Sequence, residues 1–132
     1  INEINIYSNL SSKLVLLGYL SHKEVLEEYS KTNLLLLLLF NSKSGQGNYP
    51  GKIFEYFAAK KTIIAFGPEK SDVKKLLENG YGLFHNYNDE CEKIKENILA
   101  VFKGEISVKL VEDGEFSRKH LTNKLVDLLE KL

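Results

Sequence analysis

The stretch Leu34–Ala59, LLLLLLFNSKSGQGNYPGKIFEYFAA, governs the reading of this 132-residue chain. It begins with seven apolar residues in a row, crosses a loop holding Gly45, Gly47, Pro50 and Gly51, and ends in a helical pattern. Six consecutive leucines are compatible with a helix on propensity alone. The short length and the polar breakers on either side instead predict a strand, Leu34–Phe40, covered on both faces. After the loop, over about 51–60, Lys52 and Glu55 stand three residues apart and share a helix face. A buried strand, a glycine loop and a helix start is the order in which α/β proteins build phosphate sites. Glycine lets the backbone approach a ligand, and a helix start presents free N–H groups to an anion.

Toward the N-terminus, Ser21 and Glu24 form a capping box, with Leu20 and Val25 placed as a hydrophobic staple, so a helix is expected through about Lys31. Leu14–Leu17, ended by Gly18, reads as another strand. Residues 1–12 are read as the tail of a helix. Toward the C-terminus, Thr62–Phe66 is a strand closed by Gly67-Pro68. Ser71 caps a short helix with Val73, Leu76 and Leu77 inward and Gly80 as its stop. Tyr81–His85 is a weaker strand at an edge. Asp89 and Glu92 open a longer helix with Cys91, Ile94, Ile98 and Phe102 on one face. Residues 105–115 are loop, and a last helix from about Phe116 carries Leu121, Leu125, Leu128 and Leu129 on one side. In the helix after the glycine loop, Phe54, Phe57 and Ala58 are expected to face the core. Strands thus alternate with helices four times. That pattern predicts one α/β domain over residues 1–132, with a Rossmann-like parallel sheet and helices on both faces.

Eighteen basic and eighteen acidic residues cancel, so nothing argues for a nucleic-acid partner. The apolar run 34–40 is far short of the ~20 residues of a membrane span. Cys91 is the sole cysteine; it fits a reducing, cytoplasmic compartment and, beside Asp89, Glu90 and Glu92, has no base or cation to activate it. The chain opens on Ile1 with no initiator methionine and no leader, and is expected to be part of a longer protein. Three scattered histidines and one cysteine make no metal set. His85, ending the last strand, is the histidine best placed for a ligand.

In parallel sheets ligands bind at the carboxyl ends of the strands. Four polar or glycine-bearing loops are expected there: Gly18–Ser21, Asn41–Gly51, Gly67–Ser71 and Asn86–Asp89. Their glycine spacing is neither the dinucleotide fingerprint nor the phosphate loop of nucleotide triphosphatases. Lys52 can neutralise a diphosphate, or it can be a solvated lysine paired with Glu55 at about 0.2–0.5 kcal/mol. Glu55 can accept two sugar hydroxyls, or it can be a carboxylate favoured near a helix start. Tyr19, Tyr49 and Tyr56 can pack on a base, or belong to the core.

Three segments carry a resemblance: LLGYLSHKEVLEEYSKTNLLLLLLF (16–40), YPGKIFEYFAAKKTIIAFGPEKSDVKKLLENGYGLF (49–84) and FSRKHLTNKLVDLL (116–129). Together they resemble the C-terminal half of GT-B fold glycosyltransferases, in the retaining, family-four-like group that builds bacterial surface polysaccharides. GKIFEYFAA is the most specific piece. The resemblance implies a half that binds a nucleoside diphosphate sugar, UDP- or GDP-linked, and needs no metal or other cofactor. It implies that Glu55 holds the ribose hydroxyls, that Gly51 and Lys52 face the diphosphate, and that Gly18 and Tyr19 lie beside the base. Gly47, Asn48 and Tyr49 complete the implied donor-binding set, and Lys52 and Glu55 are the implied catalytic residues. A saccharide or lipid-linked acceptor would be held through an N-terminal domain outside this sequence, in the cytoplasm or at the inner face of the membrane. Two departures stand out. Gly47 occupies the position where the family carries a sugar-reading glutamate, and the first two strands of the family's donor domain are missing.

Two other readings compete. A nucleotide-sugar epimerase on the same fold would need acid/base residues in the cleft, for which His85 and Glu69 are available. A non-catalytic, receiver-like module would want an acidic cluster at a strand end, where this chain has Gly18 and Asn41.

Overall fold

A computed structural model of the chain describes residues 12–43, 46–112 and 114–131. Five α-helices and three strands alternate in the order α1 (His22–Lys31), β1 (Leu34–Leu38), α2 (Gly51–Ala58), β2 (Thr62–Gly67), α3 (Asp72–Leu76), β3 (Gly82–Asn86), α4 (Cys91–Phe102), α5 (Arg118–Leu129). A wider helical turn, Leu77–Tyr81, continues α3 and breaks at Gly80, whose φ of 100° is one that side chains other than glycine's rarely tolerate. The strands are parallel in the order β1-β2-β3, with Leu35 opposite Ile63 and Ile63 opposite Gly82. The architecture is α/β and Rossmann-like, as the alternation of periods requires.

The capping box forms. The Ser21 N–H donates to the Glu24 carboxylate at 2.7 Å, and the Glu24 N–H donates back to Ser21 Oγ at 3.4 Å. Leu35, Leu37 and Leu39 alternate inward from β1 and its end, and Ile63 and Ala65 do so from β2. Against them α2 sets Ile53, Tyr56 and Phe57, joined by Val73, Leu77, Tyr81 and Val111. On the other sheet face Ile64 and His85 are buried. There the C-terminal end of α4 lines a cleft of about 370 Å³ with Leu34 and Thr62. Helices therefore flank both faces.

Four expectations are corrected. Leu14–Leu17 is not a strand: it runs as exposed coil, because a strand needs a ladder partner and β1 pairs only with β2 among the described residues. β1 is covered on one face alone, with Leu36 and Leu38 52% and 63% exposed; among the described residues it is an edge strand, with no neighbour beyond it to carry a second cover. In α2 the buried stripe is Ile53, Tyr56 and Phe57, one position out of register with the expected Phe54, Phe57 and Ala58. Phe54 instead rims the core against Phe57 and Phe116. Cys91, expected on the apolar face with Ile94, Ile98 and Phe102, is exposed at the start of α4. The expectation for residues 1–12 falls almost entirely outside the described residues.

The outward carbonyl of Leu36, on the open edge of β1, accepts a hydrogen bond from the Tyr56 hydroxyl at 3.2 Å. Burial, with Tyr29 beside it, pushes that phenol up to about 12. After α4 the chain returns to the core, bringing Val111 into it and Phe116 against α2. Phe116 stacks on Phe57 with centroids 5.0 Å apart, and the Tyr81 hydroxyl donates to Glu115 at 2.6 Å. That bond holds the Glu115 carboxyl below its ordinary value and raises the Tyr81 phenol. The Ser21 hydrogen bonds lower Glu24 and the Lys74 contact lowers Glu69. A carboxyl lowered by folding stabilises above its unfolded value, about 4.3, and loses that contribution as pH falls through the folded value. A phenol raised by folding stabilises below about 10 and loses its contribution as pH climbs through the folded value. Urea midpoints should therefore hold level from about pH 5 to 9 and decline on both sides. Tyr81→Phe should flatten part of the acid decline; an acid slope identical to that of wild type would remove Glu115 from the account.

Candidate functional site at the carboxyl edge of the sheet

Three loops leave the carboxyl ends of the strands, and hydrogen bonds tie them together. The Asp72 N–H donates to the Gln46 carbonyl at 2.9 Å, and the Tyr49 hydroxyl donates to the Asp72 carbonyl at 3.3 Å. These two bonds clamp the loop after β1 onto the start of α3. The Tyr87 hydroxyl reaches from the third loop to the Leu39 carbonyl. Asn86 Nδ2 donates to Glu69 at 2.8 Å, joining the third loop to the second.

From the clamped loop the chain enters α2. Pro50 sits at the N-cap with no side-chain hydrogen bond to the helix, while the Ile53 N–H reaches back to the Pro50 carbonyl at 3.0 Å. The Gly51 and Lys52 amides are thus left to solvent or ligand. Lys52 is exposed and Glu55 is half-buried. No ion pair joins them, so the bland alternative of a mutual surface pair is not what the structure contains. A Cβ on Gly51 would meet nothing within 4 Å, and one on Gly47 would meet only Asp72 Oδ2 at 3.9 Å. Neither glycine has a positive φ. The protein's own packing therefore requires glycine at neither position.

The other carboxylates on this rim, Glu69, Asp72 and Asp89, have partners. Glu69 accepts from Lys74 at 2.6 Å as well as from Asn86. Asp72 pairs with Lys75 at 2.8 Å. Asp89 accepts from the Asn86 N–H at 3.0 Å and lies 3.5 Å from His85 Nδ1. His85 itself is 2% exposed against Phe66, which removes it from ligand reach and removes the epimerase reading's histidine. Buried Ser71 Oγ has no hydrogen-bond partner among the described residues, so Ser71 holds the N-cap position without capping.

Gly47, Asn48, Tyr49, Gly51, Lys52 and Glu55 fall together on the loop after β1 and the first turns of α2. Gly18 and Tyr19 do not join them. Tyr19 is 98% exposed in the coil before α1, and among the described residues no hydrogen bond or ring contact links it to the three loops. Sequence reading missed the bracing roles of Tyr49, Asn86 and Tyr87, which span separations of up to 48 residues and leave no local pattern. The clefts of 300–370 Å³ lie elsewhere, under residues 111–123 and beside α4. At the rim, Gly47, Asn48, Tyr49, Gly51 and Lys52 are exposed. Among the described residues no His, Cys, Asp or Glu group could hold a metal ion, and no helix is long and apolar enough to cross a membrane.

No protein-family model, curated protein or solved structure matches the chain.

Proposed function

We propose that this chain is the donor-binding portion of a retaining GT-B glycosyltransferase, whose parent moves a sugar from a nucleoside diphosphate to a saccharide or lipid-linked acceptor in surface-glycan synthesis. One observation carries the reading. A glycine-bearing loop enters α2 at the carboxyl edge of a parallel sheet, with Lys52 and Glu55 both left without a hydrogen-bond or ion-pair partner among the described residues. Open space at Gly51, where packing asks for no glycine, supports close approach of a ligand to the helix start.

In this reading the Glu55 carboxylate accepts both ribose hydroxyls. Lys52 and the first amides of α2 stabilise the diphosphate as the sugar–oxygen bond breaks and the electron pair stays with the leaving oxygen. UDP or GDP is the nucleotide, and no metal is required. Gly18 and Tyr19 enter through the family resemblance alone. The parent works in the cytoplasm or at the inner membrane face, where sugar nucleotides meet lipid-linked acceptors.

Calorimetric titration of UDP and GDP at low ionic strength tests it. One diphosphate should bind the wild-type chain, and Glu55→Ala should bind it roughly 10- to 100-fold more weakly. Gly51→Ala should fold as well as wild type or up to about 1 kcal/mol better, since alanine suits a helix, yet lose affinity. Equal binding by wild type and Glu55→Ala sinks the role of Glu55.

A further inference from the structure

We infer that the diphosphate is gripped from two loops, with Lys70, after β2, acting as a second anion-binding cation beside Lys52; this rests on the donor-binding reading above. Nothing in the sequence singles Lys70 out, since it is one of seventeen lysines. Its position and its charge balance do.

Position comes from the clamp. The Asp72–Gln46 and Tyr49–Asp72 hydrogen bonds hold the start of α3 directly against the loop that leads into α2. Lys70 precedes Asp72 by two residues, and Lys52 follows Tyr49 by three. Each lysine therefore lies within three residues of a partner in the clamp, and a lysine side chain is long and flexible. Gly47 widens the space at this joint, because its missing Cβ would have faced only the Asp72 carboxylate.

Charge balance comes from the neighbours. Between Gly67 and Lys75 the loop and helix start hold two acids and three lysines. Glu69 is taken by Lys74 and Asn86, and Asp72 by Lys75. Lys70 is exposed and has no ion pair or hydrogen bond among the described residues, so residues 67–75, taken by themselves, carry one more positive than negative charge. Lys52 is likewise exposed and without an ion pair or hydrogen bond among the described residues. The Asp72 carboxylate, which would repel an anion at the joint, is neutralised by Lys75 at 2.8 Å. Two free cations on two loops fastened together fit an anion with two charged centres, a diphosphate, better than a single phosphate.

Inorganic pyrophosphate, inorganic phosphate and UDP serve as probes in calorimetric titrations at low ionic strength. Lys70→Ala and Lys52→Ala should each weaken pyrophosphate and UDP roughly tenfold, while Lys70→Arg retains most of the affinity. Lys103→Ala, which removes the same charge beyond α4 near the opposite sheet edge, should bind as wild type does. Phosphate should lose less than pyrophosphate on Lys70→Ala, because it engages one cation at a time. If Lys70→Ala stays within twofold of wild type while Lys52→Ala loses affinity, the second cation is wrong and the donor-binding reading stands. Equal losses in Lys70→Ala and Lys103→Ala would reduce the effect to net charge and also overturn it. No binding of any probe by the folded wild-type chain overturns the donor-binding reading and this inference together.

Discussion

Phe57→Ala should destabilise the fold by about 3–5 kcal/mol, the range for emptying an aromatic position in a packed core. Phe57 is 4% exposed and stands at the centre of a ring cluster. It stacks on Phe116 at 5.0 Å, meets Tyr81 at 5.6 Å and Phe54 at 6.5 Å. Its removal detaches the segment carrying Phe116 as well as leaving a void among Phe54, Tyr81 and Phe116. A small domain holds about 5–15 kcal/mol in total, so the variant should melt roughly 10–20 °C lower. The comparison with Phe54→Ala is decisive. Phe54 is 40% exposed, and its loss should cost less than half as much. Equal costs would place the hub of the cluster elsewhere.

Gly82→Ala is the second large effect, expected at about 2–3 kcal/mol for one added methyl group. Backbone strain is not the reason: φ and ψ at Gly82 are 172° and −172°, extended values open to any residue. Space is the reason. A Cβ there would sit 2.5 Å from the Ile63 carbonyl oxygen, 3.1 Å from Leu77 Cδ2 and 3.2 Å from Ile63 Cβ. The nearest obstacle is backbone of the central strand, which cannot rotate away as a side-chain tip can. β3 must shift against β2 at the registered pair Ile63–Gly82, and urea unfolding should record the loss. Gly80→Ala should also cost stability, through its φ of 100° rather than through contact, since its nearest neighbour is 3.6 Å away. A Gly82→Ala variant within 0.5 kcal/mol of wild type would show that β3 gives way freely.

Local patterns were legible where local physics decides. The Ser21–Glu24 spacing located the start of α1, and Gly80 marked the break before β3. Leu34–Phe40 was readable as a strand by its length and breakers, but not as an edge strand. Leucines at 36 and 38 look the same in sequence whether a neighbour covers them or not. Leu14–Leu17 shows the converse: apolar content supplies a strand's face, but only a partner supplies its ladder. The α2 stripe slipped by one position because seven of the eight residues 52–59 are apolar, aromatic or lysine with an apolar stem, so several faces looked plausible until β1 and β2 chose one. At the rim, Gly47, Gly51, Lys52 and Glu55 were readable together because one segment carries them. The clamp through Asp72 and the pairing of Glu69 with Asn86 are tertiary. They became visible only once the sheet brought three loops to one edge.

The three-loop clamp also bears on the entropy of recognition. A surface assembled from separate loops ordinarily loses conformational freedom when a ligand arrives, at about 1–2 kcal/mol for each residue ordered. Here hydrogen bonds from Tyr49, Asn86, Tyr87 and the Asp72 amide restrain the loops as the chain folds, before any ligand is present. Restraint of that kind moves the ordering cost from association to folding. What a ligand gains at this edge is then set by the contacts it makes rather than by the loops it must gather.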